Sequence, residues 1–159
     1  MKIETVMLDD TVQRIDVARL VRRRLRPGTR AVAALCGVQT NQFPRAADLA
    51  RELRRAGFAV MMGGFHVSGA IAMSERGMPP ELQALIDDGV TLVKGEVEEC
   101  WDDLLRDALH GRLRPFYDIV EPPDLTRARI PSFDPKLMKR FAYPYMSTID
   151  AGRGCPFNC

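Results

Sequence analysis

Two cysteines near the end of the sequence are the residues whose type and spacing most directly suggest chemistry. Cys155 and Cys159 form a CxxxC pair within AGRGCPFNC, residues 151–159. Thiolates bind zinc and iron–sulfur clusters, but a zinc site needs a second pair of ligands, which the sequence does not supply. A redox pair would normally be CxxC at a helix start. By itself, the spacing leaves open both a metal site and a tail with two spare thiols.

Polar and glycine residues after three apolar runs are the second set of candidates. They are Gln39, Thr40 and Asn41 after Ala31–Cys36, then Gly63, Gly64, His66 and Ser68 after Phe58–Met62, and Gly95 and Glu96 after Val90–Val93. In an open parallel sheet, ligands bind outside the carboxyl ends of the strands, where the strand order reverses. Paired glycines let the backbone approach a ligand or adopt positive φ. Glycines also simply end strands, and a loop histidine is usually solvated, so both interpretations stay open.

Alternating apolar runs and amphipathic segments predict the elements that would position these residues. The pattern predicts strands at 3–8, 31–36, 58–62 and 90–93, helices at 11–25, 46–56, 79–88 and 96–109, and a loop after residue 62. Strands alternating with helices indicate a parallel sheet built from right-handed crossovers, hence an α/β fold. Residues 1–111 form the predicted domain. Prolines punctuate a predicted linker at 112–145, and 146–149 could begin a further strand.

Composition narrows the classes of protein. The apolar content of 46%, the charged content of 28% and the net charge of +2 indicate a globular chain and argue against a nucleic-acid binder. No apolar stretch is long enough to cross a membrane and the N-terminus lacks a signal-peptide pattern, so the cytoplasm is the expected location. Four cysteines do not make a secreted disulfide framework. We expect structural roles for Cys36, at the end of a buried strand, and Cys100, on a helix.

The residues around the cysteine pair carry a resemblance. RGCPFNC, ending at Cys159, resembles the start of the CxxxCxxC motif of radical S-adenosylmethionine (SAM) enzymes. The resemblance implies that Cys155 and Cys159 are the first two of three thiolate ligands of a 4Fe–4S cluster. The third would lie three residues beyond Cys159. In that family the open iron binds SAM, which is cleaved to a 5′-deoxyadenosyl radical.

The upstream loops resemble those of the cobalamin-binding domain that precedes the radical module in one large subclass. The similar residues are Gly63, Gly64 and His66 after one predicted strand, and Gly95 and Glu96 after the next. The implied fold is a flavodoxin-like (Rossmann-like), three-layer parallel sheet of the cobalamin-binding type. Residues 146–159 would be the start of a truncated radical SAM domain, with 146–149 as the first strand of its barrel. The sequence departs from the family in lacking DxHxxG, the motif that supplies a cobalt ligand. It also has four predicted strands where five are usual.

The expected function is that of an N-terminal cobalamin-binding region of a radical SAM enzyme, with methylation as one reaction it could serve. The resemblance implies an electron donor such as a ferredoxin or flavodoxin as partner. Because the barrel and one cluster ligand are missing from the sequence, we expect the chain alone to be inactive, as a fragment would be. Two alternatives stay open: a non-catalytic module that binds cobalamin or another flat cofactor, and a structural docking module.

Overall fold

The computed structural model describes residues 3–10 and 12–126 of the chain. The helices are α1 (Val17–Arg24), α2 (Phe43–Arg55), α3 (Phe65–Ala72), α4 (Pro80–Asp87) and α5 (Trp101–His110), and the strands are β1 (Val32–Leu35), β2 (Ala59–Gly63), β3 (Thr91–Lys94) and β4 (Phe116–Asp118). All of them belong to one compact unit, Asp16–Ala128, and the described residues before it belong to a second. Whether the domain boundaries lie at residues 111 and 145 stays a prediction.

The four strands form one parallel sheet in the order β1-β2-β3-β4. Ala34 is in register with Met61, which in turn is in register with Thr91. Val93 is in register with Tyr117. The parallel α/β sheet predicted from the alternating pattern is therefore confirmed, and its carboxyl ends lie along one edge.

The sheet is covered on both faces. Leu104 and Ala108 of α5 pack with Met61, Val93 and Tyr117 in one core cluster. Successive residues of a strand point to opposite faces, and the alternate residues Val60, Met62 and Leu92 are also at most 1% exposed. Helices α2, α3 and α4 contact β1, β2 and β3. This arrangement is compatible with a flavodoxin-like or Rossmann-like fold.

Two strands differ from the prediction. Residues 3–8 form no strand, and Ile3, Val6 and Met7 are exposed. The fourth strand is instead Phe116–Asp118, inside the predicted linker, where Leu92 N–H donates to the carbonyl of Pro115 and Ile119 N–H donates to that of Lys94. The number of described strands agrees with the prediction, but the identity of one of them does not. A strand forms where a partner edge is available, which an isolated apolar run does not reveal.

The segment after β2 also differs, because the predicted loop contains α3. Gly64 precedes this helix with φ of +133°, and an isolated glycine-rich run is a poor indicator of a helix. The expected reversal of strand order is absent among the described strands, which follow one another in sequence order. Among the described residues, no helix is long and apolar enough to cross a membrane.

Candidate functional site at the carboxyl edge of the sheet

The loop after β1 is joined to the β2–α3 turn by two backbone hydrogen bonds. Val38 N–H donates to the carbonyl of Gly63 at 3.2 Å, and His66 N–H donates to the carbonyl of Val38 at 2.9 Å. Val38 is also buried, at 5% exposure. The two loops therefore form one rigid surface at the carboxyl edge, as the parallel sheet predicts for residues that follow neighbouring strands.

Gly64 makes this junction possible. Its φ of +133° lies in a region that L side chains rarely adopt, and a Cβ atom there would collide with the backbone nitrogen of Val38 and lie 2.7 Å from the carbonyl carbon of Gly37. Neighbouring Gly63 lies close to β3, where a Cβ atom would lie 3.0 Å from the carbonyl oxygen of Val93. The paired glycines therefore serve the approach of protein backbone to protein backbone.

His66 is held within the junction rather than presented to solvent. Its ring stacks on that of Phe43, the first residue of α2, with 4.0 Å between ring centroids and 28° between planes. Its Nε2 atom is buried and has no hydrogen-bond partner among the described residues. An unsatisfied buried polar atom is unusual in a native protein and requires an explanation, such as a water, an ion or a ligand.

The third loop joins the second through Ser68. Gly95 N–H donates to the Ser68 hydroxyl oxygen at 3.1 Å. Gly95 has φ of +95°, and a Cβ atom there would collide with the carbonyl oxygen of Ile119 just beyond β4. Glu96 follows and is half-buried. The three predicted loops thus lie next to one another, with their glycines packed against neighbouring backbone.

Four residues line an open depression of about 500 Å³ on this edge: Gln39, Thr40, Asn41 and Phe65. Gln39 N–H is bound by the side-chain oxygen of Gln42 at 3.2 Å, which fixes the turn. Phe65 is 77% exposed although it is a large apolar side chain. Amide groups beside an exposed aromatic ring can bind the face of a flat ligand that carries polar substituents.

The structure brings the predicted loop residues to one edge but gives them different roles. The polar residues after β1 face the depression, whereas Gly63, Gly64, His66, Ser68 and Gly95 hold the loops together. The prediction missed Val38, Phe43 and Phe65. An aromatic residue directly after a paired glycine was the one available signal for Phe65, and nothing in the sequence pairs Phe43 with His66. Cys155 and Cys159 lie outside the described residues, and no metal-binding group of side chains occurs within the described part.

The two described cysteines have thiol pKa values above the ordinary range. Cys36 is exposed rather than buried at the strand end, which corrects the prediction, yet desolvation of its thiol raises its pKa. Desolvation also raises the pKa of Cys100, and Asp103, Glu98 and Glu99 add to this shift by Coulombic repulsion of the thiolate. Metal binding and nucleophilic attack both require thiolates. Neither cysteine is therefore activated for such chemistry.

Comparison with curated proteins finds a bacteriochlorophyllide d C-8(2)-methyltransferase of Chlorobaculum tepidum that is 32% identical over 129 residues. The match covers 76% of this chain, and the chain spans about a quarter (25%) of that protein's length. No protein-family model matches the chain. No solved structure gives a significant match.

Proposed function

We propose that this chain provides the cofactor-binding α/β region of a radical SAM methyltransferase, and that its carboxyl edge holds cobalamin. The observation that carries the proposal is the 32% identity to a methyltransferase over most of this chain. Because the chain spans a quarter of that protein, the catalytic activity of the whole enzyme is part of the proposal. The SAM and 4Fe–4S cofactors of the whole enzyme and its electron donor are also part of the proposal.

The depression at the carboxyl edge fits one face of cobalamin. Its corrin ring is broad and nearly flat and carries amide side chains around its rim. The amides of Gln39 and Asn41 and the hydroxyl of Thr40 can exchange hydrogen bonds with such a rim, while Phe65 offers its exposed ring to the corrin face. An open depression suits a ligand whose second face must stay accessible to a reaction partner.

His66 does not fit the role of a cobalt ligand. Its Nε2 atom is buried and its ring is stacked on Phe43, so this nitrogen does not reach the open depression. Cobalamin would accordingly bind without coordination by His66, which agrees with the absence of a DxHxxG motif. When bound, cobalamin would supply a carrier for the methyl group. The part of this chain is to orient the ring, exclude water from the covered face and keep the loops rigid.

Cys155 and Cys159 are proposed as thiolate ligands of the 4Fe–4S cluster on the strength of the RGCPFNC motif. This part of the proposal requires a third cysteine three residues after Cys159. Reading the nucleotide sequence beyond codon 159 tests it directly. A cysteine codon at that position supports the cluster, and a stop codon or any other residue there contradicts it.

Cobalamin binding is tested on the 159-residue chain itself. The protein is mixed with hydroxocobalamin and desalted, and the visible spectrum of the protein fraction is recorded. We expect retained, spectrally shifted cobalamin, and binding about 5- to 150-fold weaker by the Phe65→Ala variant, since base–aromatic stacking of comparable area contributes about 1–3 kcal/mol. Met73→Ala, another exposed apolar residue (86%), is the matched control and should bind normally. No retained colour with folded protein contradicts the proposal.

A structural docking module is the second candidate, and the strand order favours it. Ligand crevices in open α/β sheets form where the strand order reverses, but the described strands run in sequence order without a reversal. The desalting experiment separates the candidates, because a docking module would retain no cobalamin.

A further inference from the structure

The amino edge of the sheet, opposite the candidate site, contains a cavity of about 280 Å³. Its wall includes the residues just before β3, Gly89 and Val90, and residues just before β4, Leu113 and Pro115. Ligand pockets usually measure about 300–1,000 Å³, so this cavity suits a small ligand. It lies at the opposite ends of the strands from the proposed cobalamin surface, and the inference below does not depend on that proposal.

Arg54 lines this cavity, and its guanidinium group has no carboxylate partner among the described residues. One terminal nitrogen donates to the carbonyl of Phe58 at 2.8 Å, and Nε is buried with no hydrogen-bond partner among the described residues. The guanidinium lies against Gly89, where a Cβ atom would approach its nitrogens to 2.8 Å and 3.1 Å. Gly89 has φ of +80°. This conformation and the nearness of the Arg54 guanidinium both favour glycine at position 89.

A second guanidinium, that of the exposed residue Arg30, lies next to one of the lining residues. Gly111, another lining residue, ends α5 in the left-handed conformation, and a Cβ atom there would lie 3.2 Å from the central guanidinium carbon of Arg30. No carboxylate forms an ion pair with Arg30 or Arg54 within the described part of the chain. By contrast, Arg51, one turn before Arg54 on α2, is bound by Asp88 at 2.7 Å. The local acid is therefore already engaged, and the two cations are left for an external anion.

The remaining wall of the cavity is largely apolar. Ile86 and Leu113, which are partly exposed, and Pro115, which is exposed, line it. Thr91 does not offer a free hydroxyl, since its Oγ1 donates to the carbonyl of Arg114 at 2.9 Å. A ligand in this cavity thus meets both the Arg54 guanidinium and hydrocarbon groups.

We propose that this cavity binds a small organic carboxylate, with its charge on Arg54 and Arg30 and its apolar body against Ile86, Leu113 and Pro115. Guanidinium groups match the geometry of a carboxylate through paired N–H donors. The apolar wall favours a carboxylate with a short hydrocarbon or aromatic body over an inorganic anion. Such a site would suit a regulatory carboxylate or a substrate that is a carboxylic acid, bound at the end of the sheet opposite the carboxyl edge.

Calorimetric titration of the 159-residue chain with sodium benzoate at low ionic strength tests this proposal. We expect saturable binding that weakens as salt is added. Arg30→Gln should weaken it by at least about tenfold, as expected for loss of a charge-assisted hydrogen bond. Arg22→Gln, which removes the same charge from the exposed end of α1, is the matched control and should bind benzoate normally. Arg54→Gln is a second variant, used where thermal unfolding shows that it folds.

Three outcomes overturn the proposal. The first is no benzoate binding by the folded protein. The second is equal weakening by Arg22→Gln and Arg30→Gln, which would indicate a general charge effect. The third is binding of inorganic phosphate or of benzyl alcohol as tightly as benzoate. Tight phosphate binding would show that the apolar body is irrelevant, and tight benzyl alcohol binding would show that the charge is irrelevant.

Discussion

The two edges of the sheet each contain one buried side-chain nitrogen without a hydrogen-bond partner among the described residues, His66 Nε2 at the carboxyl edge and Arg54 Nε at the amino edge, but the surroundings of the two differ. At the carboxyl edge, loop backbones bind one another through Val38, Gly63 and His66. At the amino edge, Arg54 lines a cavity, and its buried Nε has no hydrogen-bond partner in the described part of the chain. The carboxyl edge therefore has an open, amide-lined depression beside loops that bind one another. The amino edge has a cavity lined by the cationic side chain of Arg54, which an anionic ligand could neutralise. Glycine has the same use at both, which is to let another group approach where a Cβ atom would block it.

The largest expected effect of a single substitution is at Gly64. Gly64→Ala places a Cβ atom against the Val38 nitrogen at φ of +133°, so both backbone strain and a collision oppose folding. We expect a loss of about 3 kcal/mol or more in the free energy of unfolding, measured by urea titration. Gly69→Ala is the matched control, because nothing lies within 4 Å of its Cβ position in α3. It should be neutral or slightly stabilising. Equal losses in both variants would refute a rigid carboxyl-edge junction.

The second prediction concerns the hydrogen bond between β3 and the residues before β4 at the amino edge. Thr91 is 4% exposed and its hydroxyl donates to the carbonyl of Arg114. Thr91→Val keeps the shape and removes the donor, so we expect a loss of about 1–2 kcal/mol in the free energy of unfolding. Exposed Thr40→Val should change it by less than about 0.5 kcal/mol. A Thr91→Val protein as stable as the parent would show that this hydrogen bond contributes nothing.

The third prediction concerns the hydrogen bond between Ser68 and Gly95 at the carboxyl edge. Ser68→Ala removes the acceptor of Gly95 N–H. Gly95 is exposed, so water can replace the serine, and we expect a loss of about 0.5 kcal/mol by the same urea titration. A clearly smaller loss in the free energy of unfolding for Ser68→Ala than for Thr91→Val would support the difference between the two edges. A larger loss from Ser68→Ala would mean that this loop depends on one side chain rather than on its backbone.

The last prediction, with the smallest expected effect, concerns the reactivity of the Cys36 and Cys100 thiols. Raised pKa values mean that Cys36 and Cys100 hold less thiolate at a given pH than ordinary cysteines do. Iodoacetamide labelling at pH 8, mapped by mass spectrometry, should be slower at both in the native chain than in the same chain in urea. The native rate should rise with pH, because more thiolate then forms. Equal rates in native and unfolded protein would contradict the assigned shifts.

Much of the fold follows from local pattern. The continuous apolar run Ala31–Cys36 predicts a strand buried on both faces. β1 forms there at Val32–Leu35, but it is an edge strand whose residues are at most partly buried, with Ala34 exposed. β2 and β3 likewise lie within one residue of their predicted positions. The run at residues 3–8 is interrupted by Glu4 and Thr5 and forms no strand. Phe116–Asp118 does form one, although it is three residues long and lies in a proline-rich segment. Pairing with an available edge decides both cases, and sequence periodicity does not contain that information.

The candidate site was predictable in position but not in detail. Residues after neighbouring parallel strands must lie at one edge, so Gln39–Asn41, Gly64 and Gly95 could be grouped from sequence alone. Their roles depend on contacts between distant loops, such as the stacking of Phe43 on His66, which no local pattern encodes. The amino-edge cavity was not predicted at all. Arg30 and Arg54 are ordinary arginines in sequence, and only the folded structure shows that neither has an acidic partner among the described residues.

A hydrogen-exchange footprint of hydroxocobalamin on the 159-residue chain tests the central claim most directly, because it reports which edge of the sheet the ligand covers. The proposal predicts slower amide exchange at residues 39–41 and 64–66 when hydroxocobalamin is added, with no change at residues 89–91 and 111–115. Unchanged exchange at the carboxyl edge, or protection confined to the amino edge, would contradict it.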